Sequence, residues 1–342
     1  MSGRGKAPSS QAEPDGLAPA RNGLGPARVI EIQRARILAA MVEVSAERGA
    51  ANATVAHVVA RAGVSRRTFY ELYSDREDCF LGAFDDGIAR ASRYVLDAYD
   101  PNAKWAERLR TALTNSLAFL DVERGVGQLL IVGSLGAGAK ALERRRRVLA
   151  QMITLIDEGR KDAKAGTELP PLTAEGIAGG VLSVLHARLL DSPLLPTMRG
   201  PRCGDPEGDS LLGLTGALMS MIVLPYLGPA AAKRELGRPA PIPQGGRAPA
   251  PADPLRDVHM RLTYRTVRVL VSVAALGGRG SYPSNREIGL AAGIADQGQI
   301  SKLLTRLSKL GLIENTGAGL ARGAPNAWML TRKGQEIERA IG

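Results

Sequence analysis

Apolar positions recur every three or four residues along most of this 342-residue chain, the spacing of helices that bury one face. Ile30, Ile37, Leu38, Met41 and Val44 predict a first amphipathic helix from about Arg28, ended by Gly49. Short helices are expected over 54–62 and 65–72, with a turn at Gly63 between them. Asp75 caps a longer helix that runs toward Tyr99, and Asp100 with Pro101 breaks it. From Asn102 to Lys164 the pattern stays helical, with stripes at Leu109, Leu113, Leu117 and Leu120 and at Val148, Met152, Leu155 and Ile156. Pro170 and Pro171 interrupt it, and Thr173 opens a helix reaching Leu190. An uncharged helix is expected over 210–226, ended by Pro225, Gly228 and Pro229.

The pattern changes at Gly228. Seven prolines by Pro254 make 228–255 read as an extended, semi-rigid linker reaching about 3 Å per residue. Beyond it, a helix is expected from Met260 to Leu276. Ser284 and Glu287 have the spacing of a capping box that opens a helix to Ala292. Gly293 turns the chain, Asp296 caps a helix over 297–310, and short strands are expected near 312–315 and 328–330 before a last helix over 331–341. The first 27 residues mix Gly, Pro, Ser and Ala without an apolar run, so they read as a disordered tail and not a signal peptide.

Composition narrows the function. Arg outnumbers Lys 36 to 9 and the net charge is +11, which favours an anionic partner. That charge is uneven: 256–342 carries +7, whereas 28–78 carries +1. Two distant cysteines, Cys79 and Cys203, exclude a disulfide framework and a cysteine zinc site, and they fit a reducing cytoplasm. His57, His186 and His259 are far apart, and no acid, base or metal-ligand cluster emerges by spacing, so no catalytic residue, metal or cofactor is expected. Ser210–Ala232 is apolar over about 17 residues, at the short edge of a membrane span, and reads better as a buried or inter-subunit helix. Gly133–Lys140 imitates a phosphate loop, but it has one residue too many before the Lys and Ala141 where Ser or Thr is required; it reads as a helix break. The run Arg144–Arg147 reads as a solvated helix face.

Residues 54–78, TVAHVVARAGVSRRTFYELYSDRED, have the physics of a helix-turn-helix. Val55, Val58, Ala62, Val64 and Phe69 are spaced to pack two short helices, and Ser65 caps the second. Arg66, Arg67 and Thr68 fill its first turn, where side chains meet a major groove, and Tyr70 can lie along the sugar-phosphate wall. The segment resembles the DNA-binding domain of the TetR family of bacterial transcriptional regulators. Thr54, Val55, Ala62, Gly63, Val64, Ser65, Thr68, Phe69, Tyr70 and Glu77 match that family's motif. Val59, Leu72 and Tyr73 depart from its usual Ala, His and Phe, and Arg76 stands for its usual Lys. The resemblance implies a DNA-facing set of Thr54, Ser65, Arg66, Arg67, Thr68, Tyr70 and Arg76. It also implies a helical domain over 81–227 that binds an effector and forms a homodimer through 173–190 and 210–226. Small residues at Gly176, Ala178, Gly179, Gly180, Ser183 and Ala187 and the all-round apolar second helix support that pairing independently. Trp105, Phe119, Met152 and His186 are the candidate effector-lining residues.

Residues 256–342 resemble a MarR-like winged helix-turn-helix, on the strength of Leu307–Leu312 and Leu330-Thr331-Arg332-Lys333-Gly334. Ile300, Leu303, Leu304 and Leu307 form its buried stripe, leaving Gln297, Gln299, Ser301, Lys302, Thr305 and Arg306 to face DNA. Glutamine can pair with adenine and arginine with guanine, and Arg322 on the wing can enter a minor groove. The expected fold is therefore mainly all-α: a three-helix head over 28–80, a helical domain over 81–227, and a small α+β winged domain after the linker. The expected function is an effector-responsive, cytoplasmic DNA-binding repressor, not an enzyme, with double-stranded DNA and a small-molecule effector as partners. A winged module that docks a protein, and a membrane-tethered regulator, are the alternatives.

Overall fold

The computed structural model describes residues 26–163, 168–191, 210–239, 264–277, 282–316 and 326–341. The fold is mainly helical, with one two-stranded sheet near the C-terminus. Two compact units emerge, Ile30–Thr263 and a second that contains Tyr264–Gly342.

The first unit begins with α1 (Pro26–Arg48), α2 (Val55–Ala62), α3 (Arg66–Leu72) and α4 (Arg76–Leu96). It continues through α5 (Trp105–Val122), α6 (Arg124–Gly127), α7 (Ala139–Asp157), α8 (Thr173–Asp191), α9 (Thr215–Leu227) and α10 (Pro229–Gly237). One continuous core links Ile37 of α1, Phe69 of α3, Phe84 of α4, Leu117 of α5 and Met219 of α9. Ion pairs brace α4 against its neighbours: Arg90 reaches Glu123 at 2.9 Å and Arg144 reaches Asp85 at 3.2 Å.

The helix break expected at Gly133–Lys140 is present: a wide turn over Gln128–Val132 and a tight one over Gly133–Leu135 lead into α7. Two other expectations change. Pro225 does not end α9, which runs to Leu227. It forfeits only the hydrogen bond to the carbonyl of Met221, in the last turn, where little is lost. Pro229–Gly237, expected within an extended linker, is a helix. Pro229 sits at the first helical position, where its fixed φ helps, and Ala-Ala-Ala-Lys-Arg-Glu-Leu follows, a run of strong helix formers.

Charge holds α10 in place. Arg110 of α5, only 3% exposed, donates to Glu235 at 2.6 Å and to the carbonyl of Pro239 at 2.8 Å. Arg238 closes the lattice through Glu107 at 2.8 Å, and that contact holds the Glu107 carboxyl below its usual range. Among the described residues, no single helix is long and apolar enough to cross a membrane.

The second unit contains α11 (Tyr264–Gly277), α12 (Asn285–Ala291), α13 (Gln297–Lys309), β1 (Ile313–Asn315), β2 (Trp328–Leu330) and α14 (Arg332–Ile341). The strands are antiparallel, with Ile313 opposite Leu330 and Asn315 opposite Trp328. Trp328 donates from Nε1 to Asn285 Oδ1 at 2.6 Å, tying β2 to α12. A Cβ at Gly334 would collide with the carbonyl of Leu312, so only glycine lets α14 pack so close to the start of β1.

Glu235→Ala leaves the Arg110 cation buried without its carboxylate. It is expected to destabilise the first unit by about 3 kcal/mol, read as an earlier transition in urea denaturation.

Candidate nucleic-acid interface

The turn between α2 and α3 is built by caps. Thr54 accepts from the backbone N–H of His57 at 3.3 Å, and Ser65 accepts from that of Thr68 at 3.0 Å. Gly63 ends α2 in the left-handed region, φ 64°, where a side chain would be strained. Val58, Ala62, Val64 and Phe69 are buried, as their spacing requires. Anchored by Phe69, α3 turns its other side to solvent. Arg66 is exposed, the Arg67 side chain is 90% exposed, and Tyr70 is 57% exposed. Thr68 is half-buried and its hydroxyl lies 2.8 Å from that of Ser65.

Two cations of the expected DNA-facing set also have internal partners. Arg67 pairs with Glu71 one turn later at 2.9 Å. Arg76 donates to the carbonyl of Ala50 at 2.6 Å, which ties the segment before α2 to the start of α4. Arg61 also escaped the sequence reading. It reaches Glu43 at 2.9 Å and Glu47 at 2.7 Å, bracing α2 against α1. The hydrogen bond from Arg61 is the main cause that lowers the Glu47 carboxyl. Nothing in the spacing signals this contact, because the partners lie 14 and 18 residues away on another helix.

Tyr73, where the family motif has Phe, is 6% exposed and packs on Phe69 with ring centroids 5.9 Å apart. Its hydroxyl is buried and finds no hydrogen-bond partner among the described residues, and burial raises its pKa.

The second unit offers a different surface. Ile300, Leu304 and Leu307 of α13 are fully buried, and Gln297, Gln299, Ser301, Lys302, Thr305 and Arg306 are exposed together. Asp296 caps this helix by accepting from Gly298 and Gln299. Lys302, Arg306 and Lys309 have no ion pair among the described residues. Arg265 of α11 belongs to this face and was not anticipated; it donates to Gln299 Oε1 at 3.0 Å. Arg322 lies outside the described residues.

The four candidate effector-lining residues are not brought together. Trp105 is 3% exposed, donates to the carbonyl of Leu155 at 2.9 Å and meets Tyr226 edge-on. Phe119 lies fourteen residues further along α5, about 21 Å at 1.5 Å per residue, and packs beside Tyr94. Met152 and His186 are half-buried on α7 and α8. A cavity of about 610 Å³ lies elsewhere, lined by Ala106, Glu107, Val223, Leu227, Ala231 and Arg234 among others. The Arg144–Arg147 run is only partly solvated. Arg145 turns inward, donating to the carbonyl of Ile131 at 3.0 Å, and burial lowers its pKa.

One family match falls on the head. Residues 37–83 match the family described as bacterial regulatory proteins, tetR family. No curated protein matches the chain. Among solved structures, the fatty acid degradation regulator FadR from Bacillus halodurans is 18% identical, with a TM-score of 0.45; the match covers 58% of this chain and 95% of that one. A TetR-like transcriptional regulator from Rhodococcus sp. RHA1 is also 18% identical, at a TM-score of 0.43, covering 56% of this chain and 94% of that one. The transcriptional regulator FadR from Bacillus subtilis, solved with stearoyl-CoA, is 16% identical at 0.42, covering 55% and 96%.

Removing the unpartnered hydroxyl by Tyr73→Phe is expected to stabilise the first unit by about 1 kcal/mol, measured as a shift of the thermal midpoint. A destabilised variant would show that the hydroxyl has a partner.

The α2–turn–α3 segment, with its exposed Arg66, Arg67 and Tyr70, lies within the stretch 37–83 that matches the tetR family.

Proposed function

We propose that this chain is a cytoplasmic, sequence-specific DNA-binding transcriptional regulator of the TetR type, a repressor released by a small-molecule effector. The observation that carries the reading is α3: a helix capped at Ser65 and anchored by Phe69, with Arg66, Arg67 and Tyr70 all exposed on it. That is the geometry for inserting a helix N-terminus into a major groove. The head spans 28–80, and 81–227 receives the effector and forms a homodimer. The core shared by α1, α3, α4 and α5 is the route by which a change in the middle helices would re-space the two heads.

Two exposed stripes support the dimer. On α8 they are Gly176, Gly179, Ser183 and Ala187; on and before α9 they are Gly213, Ala217 and Leu224. None carries charge, and small residues let helices approach closely.

The second unit we read as a MarR-like winged helix-turn-helix and a second DNA reader, joined by a tether that adds avidity. Its cations Lys302, Arg306 and Lys309, unpaired among the described residues, favour this role. Leu290, 83% exposed on α12, favours the alternative of a protein-docking module. Binding assays with the full chain and with a chain ending at residue 239 separate the two.

Replacing Arg66, Arg67 and Tyr70 together with Ala is expected to abolish specific binding to the upstream DNA through the head, measured by gel shift across a salt series. Unchanged affinity and specificity would sink the reading of α3.

Gly179 is exposed on α8, and an added Cβ there meets no atom within 4 Å among the described residues, which makes Gly179→Leu a probe of the surface rather than of the core. The variant is expected to sediment as a monomer, and a persisting dimer would place the interface elsewhere.

A further inference from the structure

Gln299 occupies the first turn of α13, where a recognition helix meets base edges. Its backbone N–H is held by Asp296 at 3.1 Å, and its side chain is held by Arg265 of α11 at 3.0 Å. Both side chains are exposed, so the pair lies at the surface and not in the core.

The chemistry of this contact is one-sided. A guanidinium has donors and no acceptor, so the amide oxygen of Gln299 is the atom that faces Arg265. The amide NH₂ therefore lies on the other side. A glutamine free to rotate reads adenine with both ends: its oxygen accepts from the N6 amino group while its nitrogen donates to N7. Beside Arg265 that pairing is weakened. One of the oxygen's two lone pairs is taken, and an adenine amino group reaching the other would bring its own donor hydrogens up against a cation. What the pair offers instead is a continuous row of donors from the amide nitrogen and the remaining guanidinium N–H groups. The base edge that fits such a row is guanine, whose O6 and N7 are adjacent acceptors.

We infer that Arg265 is a specificity-determining positioning residue: by holding the amide oxygen of Gln299, it makes the second unit select guanine over adenine at the base pair that Gln299 faces. This rests on the proposed DNA-reading role of that unit. It also revises the expectation that Gln299 reads adenine.

The test uses the full chain with Arg66, Arg67 and Tyr70 replaced by Ala, so that selection reports the second unit. Bound duplexes are selected from a randomised library and sequenced. With Arg265 present, guanine is expected over adenine by about tenfold at one position, the lower range for a bidentate contact. Arg265→Ala is expected to reverse that preference to adenine. Adding Gln299→Ala to it is expected to leave neither base favoured. A merely structural Arg265 would change affinity without changing the base. If Arg265→Ala keeps guanine, the inference fails and the DNA-reading role stands. If the parent selects no base at all, the DNA-reading role falls and takes the inference with it.

Discussion

Burying a guanidinium costs several kcal/mol unless its hydrogen bonds and its charge are both answered, and Arg110 is buried in the middle of α5. Glu235 answers the charge and the carbonyl of Pro239 takes another N–H. Both partners come from α10 or its end, so the cation on α5 fixes where α10 must lie. Much else follows. With α10 packed along it, the uncharged α9 gains cover on one side and presents a narrow stripe on another. Pro239 is thereby fixed against α5.

The head depends on a different balance. Two of its helices are short, and caps at Thr54 and Ser65 supply what eight or seven residues of helix cannot supply alone. Phe69 then anchors α3 from below. The residues left outside are those with the chemistry to meet DNA. Arg61 adds a brace across α1 and α2 that keeps the turn at a set angle to the rest of the head.

Local signals were the legible ones. Caps, a turn glycine and a three-to-four spacing act within a few residues, so α2, α3, α12 and α13 stand where the sequence places them, and both strands fall on the expected segments. The misjudged stretches turned on distant partners. Seven prolines dominate 228–255, yet its start packs on α5, where the carboxylate of Glu235 finds Arg110 across 125 positions. Arg265 was passed over for the same reason: its partner Gln299 is 34 residues away. The four effector candidates were chosen for residue type, and type does not say which side of a helix faces a cavity.

The cations of the head are largely answered by the protein itself: Arg61 by Glu43 and Glu47, Arg67 by Glu71, Arg76 by a carbonyl. Those of α13 are not, among the described residues. A charge without a carboxylate beside it gathers small anions from solution, within a Debye length of about 10 Å at 0.1 M salt. Around α13 the protein therefore carries a cloud of borrowed chloride. On α3 the counterion of Arg67 is Glu71, covalently attached, and it cannot be shed into bulk water to gain entropy.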